Sequence, residues 1–77
     1  MKAIFKEIQD ELDRANAKFP PFHSTHEFFG VLTEEYFELL DEIRASKELT
    51  GNRLQRQEAI QVAAMCVKFI LNLCEVK

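Results

Sequence analysis

The sequence predicts an all-α domain of three helices that packs with a second subunit. Apolar residues recur at spacings of three and four along most of the chain, as they do on one face of a helix. The 77 residues include only two glycines and two prolines, and no segment alternates β-branched and polar residues. We therefore predict helices over about 2–18, 25–46 and 53–76. A chain of this length forms one domain, and a single core below about 70–80 residues is usually marginal.

The first predicted helix has one apolar stripe and one charged side. Its charged residues are predicted to form a solvated face, as charged side chains usually do. The segment Phe19-Pro20-Pro21-Phe22 ends this helix, because the residue before a proline is disfavoured in helical geometry. The two phenylalanines are predicted to pin the turn onto the core, with a pocket wall as the alternative. The stripe contains Ile4, Ile8, Leu12, Ala15 and Phe19.

The second predicted helix begins at a capping box. Ser24 is followed three positions later by Glu27, the spacing at which the two side chains satisfy free backbone N–H groups. Gly30 lies inside the helix, where glycine is less favourable than alanine, and we expect it to mark a close helix–helix approach. His23 and His26 flank this start, but two histidines without further matched ligands are weak evidence for structural zinc.

Three carboxylates cluster on the second helix. Glu35 and Glu38 are three positions apart and share a helix face, with Glu34 beside them. This face adjoins the apolar stripe instead of opposing it. The carboxylates are therefore expected at the edge of the core, where they are either solvated or offered to a cation.

The third predicted helix is apolar nearly all the way round between 59 and 73. Its polar residues fall on one narrow seam: Glu58, Gln61, Lys68 and Asn72. One interpretation is that this seam is the solvent-facing edge. The apolar surface nevertheless exceeds what two partner helices can cover, so we expect a second subunit to complete a four-helix-bundle-like core. Gly51 is expected to break the preceding turn, with Asn52 as the cap.

The two acidic seams can face each other. The turn between helices two and three is short, which favours antiparallel packing. Oxygen ligands at helical spacing suit a hard cation such as Mg²⁺ or Mn²⁺. Since Mg²⁺ is usually shared with substrate phosphates, the chemistry these residues support is metal-assisted reaction at a phosphate.

These residues resemble a known family. Glu34-Glu35-Tyr36-Phe37-Glu38 is similar to the Glu-Glu-x-x-Glu motif of the MazG-like, all-α nucleoside triphosphate pyrophosphohydrolases, and 58–61 stands where that family has Glu-x-x-Asp. The resemblance covers about two thirds of the chain and makes 1–77 one MazG-like domain. It implies Mg²⁺-dependent cleavage of a (deoxy)nucleoside triphosphate to a monophosphate and pyrophosphate, in a homodimer or homotetramer.

The resemblance also assigns residue roles. The implied metal ligands are Glu35, Glu38, Glu58 and Gln61. Glu34, which would help to hold metal-bound water or a second ion, and Glu38 are the implied catalytic residues. Lys68 and Asn72, one and two turns further along the seam, are candidates for substrate binding by their position on the helix and not by the resemblance.

Gln61 departs from the family pattern, because the family has aspartate there. An amide oxygen can coordinate Mg²⁺ but brings no charge, so metal affinity should fall. Glu42, one turn beyond Glu38, is a candidate for compensation. The other readings are a single-metal site, a non-catalytic nucleotide- or metal-binding relative, and a structural oligomerisation module with solvated glutamates.

Composition and sequence pattern argue against nucleic acid and membranes as partners and against secretion. The net charge is −3 and no basic run is present, which argues against nucleic acid. The N-terminus lacks the apolar core of a signal peptide, and no run of about 18 uninterrupted apolar residues predicts a membrane span. Cys66 and Cys74 are about 12 Å apart along one helix, too far for a disulfide. We expect a cytoplasmic protein that does not contact membranes.

Overall fold

The computed structural model describes residues 1–45 and 51–75, and within them the chain is all-helical, with no strand. Helix α1 spans Lys2–Lys18, α2 spans Thr25–Ala45 and α3 spans Gly51–Phe69, followed by a π-helical turn at Ile70–Cys74. The prediction of three helices and an all-α fold is confirmed.

The turn after α1 forms where the prolines predict it. Phe19 is extended, with φ −127° and ψ 148°, and its N–H still donates to Ala15 O at 2.8 Å. Phe22 is only 7% exposed, and its N–H donates to Asn72 Oδ1 at 2.8 Å. The turn is thus pinned to the far end of the chain through Phe22, while Phe19 remains 53% exposed.

The start of α2 carries the predicted cap. Glu27 N–H donates to Ser24 Oγ at 3.1 Å, and the Glu27 carboxylate accepts from His23 N–H at 3.0 Å. Two otherwise unpaired N–H groups are satisfied in this way. The expectation for Gly30 is wrong: among the described residues, a Cβ placed there would meet no atom beyond its own helix backbone within 4 Å, so this glycine faces open space.

Helix α3 begins and ends differently from its prediction. It starts at Gly51, two residues early, so Gly51 does not break the chain; residues 46–50 of the predicted turn lie outside the described residues. At its other end the α-helix stops at Phe69 and widens into the π-helical turn, which closes with Glu75 N–H donating to Ile70 O at 2.8 Å.

Helix α3 packs against both other helices and organises a small core. Phe28 near the start of α2 stacks on Phe69 at the end of α3, with ring centroids 4.1 Å apart. The start of one helix thus meets the end of the other, as the predicted antiparallel arrangement requires. Arg56 near the start of α3 pairs with Glu7 on α1, so α1 and α3 run in the same direction. The buried apolar residues are Leu12, Ala15, Phe22, Phe28, Ala64 and Met65.

Three of the four residues of the predicted polar seam face inward, whereas Asn72 is exposed. Lys68 is 2% exposed, and Glu58 and Gln61 are half-buried, so the solvent-edge interpretation is wrong for this part of the seam. Large apolar side chains remain exposed elsewhere, most of them on α2 and on the π-helical turn. They include Phe29, Tyr36, Phe37, Ile43, Ile70 and Leu71.

The segment Arg53–Cys74 is long and apolar enough, by length and composition, to cross a membrane. Core helices of water-soluble proteins meet the same criterion, so this is weak evidence. Within this segment Lys68 is buried and Glu58 and Gln61 are half-buried, whereas its other charged and amide residues are mostly exposed.

Candidate metal centre

Antiparallel packing of α2 and α3 brings three carboxylates together. One oxygen each from Glu35, Glu38 and Glu58 lies within 4.8 Å of the other two. Glu35 and Glu38 come from adjacent turns of α2, and Glu58 comes from the early part of α3, which lies opposite them. The sequence predicted this grouping from the spacing and from the antiparallel turn, and the structure places all three at one point.

The ionised forms of two of the clustered carboxylates are destabilised in the folded chain. Burial raises the pKa of Glu35, and the neighbouring charges of Glu38 and Glu58 raise it further. Partial burial also raises the pKa of Glu58, followed by the charge of Glu38 and a hydrogen bond with that carboxyl. Both directions have the same physical meaning: burial first, and the neighbouring carboxylates second, disfavour the ionised forms of Glu35 and Glu58.

Gln61 lies between two of the carboxylates. With its amide nitrogen turned toward them, Gln61 donates to Glu35 Oε2 at 2.9 Å and to Glu58 Oε2 at 3.1 Å. In this orientation the Gln61 side chain links Glu35 on α2 to Glu58 on α3. A half-turn of the amide about its last bond would present the oxygen instead, the orientation in which Gln61 can coordinate a cation.

A cavity of about 350 Å³ opens beside the cluster. Glu34, Glu35 and Gln61 form one side of it, and Lys68 also lines it. The remaining wall comes from α1, from the turn after α1, from the first part of α2 and from Met65 on α3. It contains Glu11, Arg14, Ala15, Phe19, Pro20, Phe22, Glu27, Val31 and Met65.

Lys68 is the unusual member of this lining. Its side chain is buried, yet within residues 1–45 and 51–75 its ammonium makes no hydrogen bond or ion pair. Its one contact of polar character is with the ring of Phe22, whose centroid lies 4.9 Å from Nζ. Burial lowers the pKa of Lys68, and the charge of Glu27 opposes this only in part. In the described residues no fully buried side-chain nitrogen lacks a hydrogen-bond partner, so the Lys68 ammonium reaches the cavity surface, where a bound anion would stabilise it.

The other predicted site residues are placed less centrally. Glu34 is exposed but lines the cavity next to Glu35. Glu42 is close enough to Glu58 to raise the pKa of that carboxyl. Asn72 is not among the described residues that line the cavity, and its Oδ1 is already occupied by the N–H of Phe22.

Sequence reasoning missed the contribution of α1. Glu11 was assigned to a solvated face, but its side chain is only 15% exposed, and its charge raises the pKa of both Glu35 and Glu58. Glu11 is paired with Arg14, which also lines the cavity. The signal was present in the sequence, because Glu11 is three residues after Ile8 and four before Ala15, which places it on the apolar stripe.

The donor set fits a hard divalent cation. Three carboxylate oxygens and one amide oxygen are hard ligands of the type that Mg²⁺ and Mn²⁺ prefer. A cation among them would also relieve the repulsion that, after burial, raises the pKa values of Glu35 and Glu58. Lys68 lines the same cavity as Glu35 and Gln61, so the site can accommodate an anion next to a cation.

Comparisons of the chain with protein-family models, with curated proteins and with solved structures found no match.

Proposed function

We propose that this chain is a Mg²⁺-dependent (deoxy)nucleoside triphosphate pyrophosphohydrolase that yields a nucleoside monophosphate and pyrophosphate. The observation that supports it best is the cavity lined by Glu35 of the carboxylate cluster and by Lys68, whose ammonium has no ion-pair partner among the described residues. A metal–polyphosphate complex would bring a cation to the carboxylates and an anion to Lys68. The motif resemblance supplies the reaction class.

The chain's own residues would act as follows. Glu35, Glu38, Glu58 and the Gln61 oxygen would hold the cation, which when bound supplies Lewis-acid activation of the phosphate and of the attacking water. Glu34, exposed at the cavity rim, would orient that water. Lys68 would bind a phosphate oxygen, and the apolar walls of the cavity would restrict access of bulk water.

The proposal is tested by measuring pyrophosphate release from a panel of common nucleoside triphosphates in the presence of Mg²⁺. We expect release from at least one nucleotide and its loss on chelation. Glu38→Gln should abolish release, because it removes one charge from the cation site while keeping the shape of the side chain. Asp41→Asn is the matched control, since Asp41 is an exposed carboxylate on the same helix.

Wild-type activity that persists in Glu38→Gln, or no release from any nucleotide, would contradict catalysis at this site. The bridging amide of Gln61 favours one specific alternative, a relative that binds nucleotide or metal without turnover. That alternative predicts thermal stabilisation by Mg²⁺ plus nucleotide and no pyrophosphate. A purely structural module would respond to neither.

We also propose that the chain works as a homodimer or homotetramer. The apolar side chains left exposed on α2 and on the π-helical turn support this, including Phe29, Tyr36, Phe37 and Leu71. A second copy packed on this surface would complete a four-helix-bundle-like core. Light scattering coupled to size-exclusion chromatography tests it, and a monomer at micromolar concentration would refute it.

A further inference from the structure

A second cation, Arg14, lies next to the proposed site. Arg14 lines the cavity that contains Lys68, and it also lines a neighbouring groove of about 710 Å³ between α1 and α3. Glu11 and Gln61 line both depressions as well, whereas Lys68 lines only the cavity. Arg14 is therefore at the junction of cavity and groove, beside the carboxylate cluster.

The guanidinium of Arg14 is held in place by Glu11. Arg14 Nε donates to Glu11 Oε1 at 3.0 Å, and Nη2 donates to Glu11 Oε2 at 2.5 Å. The Glu11 side chain is 15% exposed, so the anchor is largely buried, whereas Arg14 is 56% exposed. A guanidinium has five N–H donors, and this pairing uses two of them. The other three N–H donors remain accessible, and the pairing with Glu11 fixes their direction.

Lys68 and Arg14 lie at separate places, so they favour an anion that is long enough to contact both. A single phosphate bound at Lys68 lies inside the cavity, and only a ligand that continues toward the groove reaches Arg14 as well. Planar guanidinium groups bind phosphate through paired N–H donors, which a clamped arginine offers at reduced entropic cost. An exposed Arg–Glu pair on a helix contributes little to stability. The Arg14–Glu11 pair therefore does not by itself explain why the largely buried Glu11 carboxylate lies near the carboxylate cluster.

We infer that Arg14, positioned by Glu11, binds the distal phosphates of the ligand and makes the site selective for polyphosphates over monophosphates. The inference rests on the proposed function for its substrate class. It deepens that proposal, because a monophosphate product would lose the Arg14 contact and leave. Glu11 is a positioning residue here, acting through Arg14.

The experiment measures binding of inorganic tripolyphosphate and of orthophosphate by calorimetry in Mg²⁺, which makes the result independent of base and of turnover. Arg14→Gln should weaken tripolyphosphate binding by roughly tenfold to a hundredfold, the effect of losing charge-assisted hydrogen bonds, and orthophosphate binding by less than about twofold. Arg14→Lys should fall between, because it keeps the charge and loses the fork. Glu11→Gln should weaken tripolyphosphate binding less than Arg14→Gln does.

Lys6→Gln is the matched control, since Lys6 is an exposed cation of α1 that pairs with Asp10 and is absent from the described linings of both depressions. Unfolding midpoints of all variants show whether each remains folded. Equal effects of Arg14→Gln and Lys6→Gln, equal loss of both anions, or a wild type without preference for tripolyphosphate would overturn the inference. A preference that depends on Arg14 in a chain releasing no pyrophosphate would support it and refute only the hydrolysis.

Discussion

Glu35→Gln gives a quantitative test of the carboxylate cluster. Glu35 has one oxygen within 4.8 Å of oxygens from both Glu38 and Glu58. At that separation two like charges repel by about 1 kcal/mol in water-like surroundings and by about 3.5 kcal/mol at an intermediate effective dielectric. Glutamine keeps the size of the side chain and an oxygen that can accept from the Gln61 amide, so the substitution removes mainly the charge.

Without divalent cations the variant should be more stable than the wild type. Using the water-like value for two pairs, we expect a gain of about 2 kcal/mol at pH 7, or roughly 8 to 16 °C in the unfolding midpoint of a domain of this size. With a cation the order should reverse. A wild-type site at a hundredfold excess of metal over its Kd gains about 2.7 kcal/mol, and Glu35→Gln should lose most of that gain.

The pH dependence has a definite sign. The pKa values of Glu35 and Glu58 are raised above the value of 4.5 of the unfolded chain, so the folded state binds protons more tightly. The free energy of unfolding therefore falls as pH rises from about 4.5 through the raised folded pKa values. The advantage of Glu35→Gln should be largest at pH 7 and should vanish below pH 4.5.

The assay is urea or thermal unfolding in chelator and in Mg²⁺ or Mn²⁺, at several pH values. Asp41→Asn, an exposed carboxylate on the same helix, controls for the change in net charge. The reasoning is refuted if Glu35→Gln gains no more stability than Asp41→Asn in chelator, or if it keeps the full response to metal.

Three further substitutions test individual features of the chain. Gly30→Ala should stabilise the fold by about 1 kcal/mol, since alanine favours helix and a Cβ there meets open space; a loss of stability would reveal an interface at this position. Ser24→Ala should destabilise it by about 1 kcal/mol in urea unfolding, through loss of the cap to Glu27, and no change would mean that the cap contributes nothing. Gln61→Asp should lower stability in chelator by adding a fourth charge and raise Mg²⁺ affinity in calorimetry, and unchanged affinity would place Gln61 outside the cation site.

Helix positions that depend on local chemistry were predictable from the sequence. The bounds of α1 and the start of α2 follow from the prolines and from the Ser24 capping box, which act over a few residues. The meeting of Glu35, Glu38 and Glu58 was also predictable, because helix periodicity and antiparallel packing of α2 against α3 bring them together.

Features that depend on three-dimensional packing were not predictable in the same way. The open space at Gly30, the burial of Lys68 and the role of Glu11 all require knowledge of which face each neighbouring helix presents. Helix pattern places Glu11 on the edge of the apolar stripe, but only the packing of α1 against α3 shows that this edge borders the carboxylates. The change to π-helical geometry at 70–74 has no signal that we find in the sequence.

The most direct test of the central claim is a crystal structure with Mn²⁺ and its anomalous density. We predict an ion about 2.1 Å from oxygens of Glu35, Glu38 and Glu58, with the Gln61 amide turned so that its oxygen faces the ion. An ordered structure without density at the cluster, with Gln61 still donating to both carboxylates at saturating Mn²⁺, would contradict the assignment of these residues to a cation site.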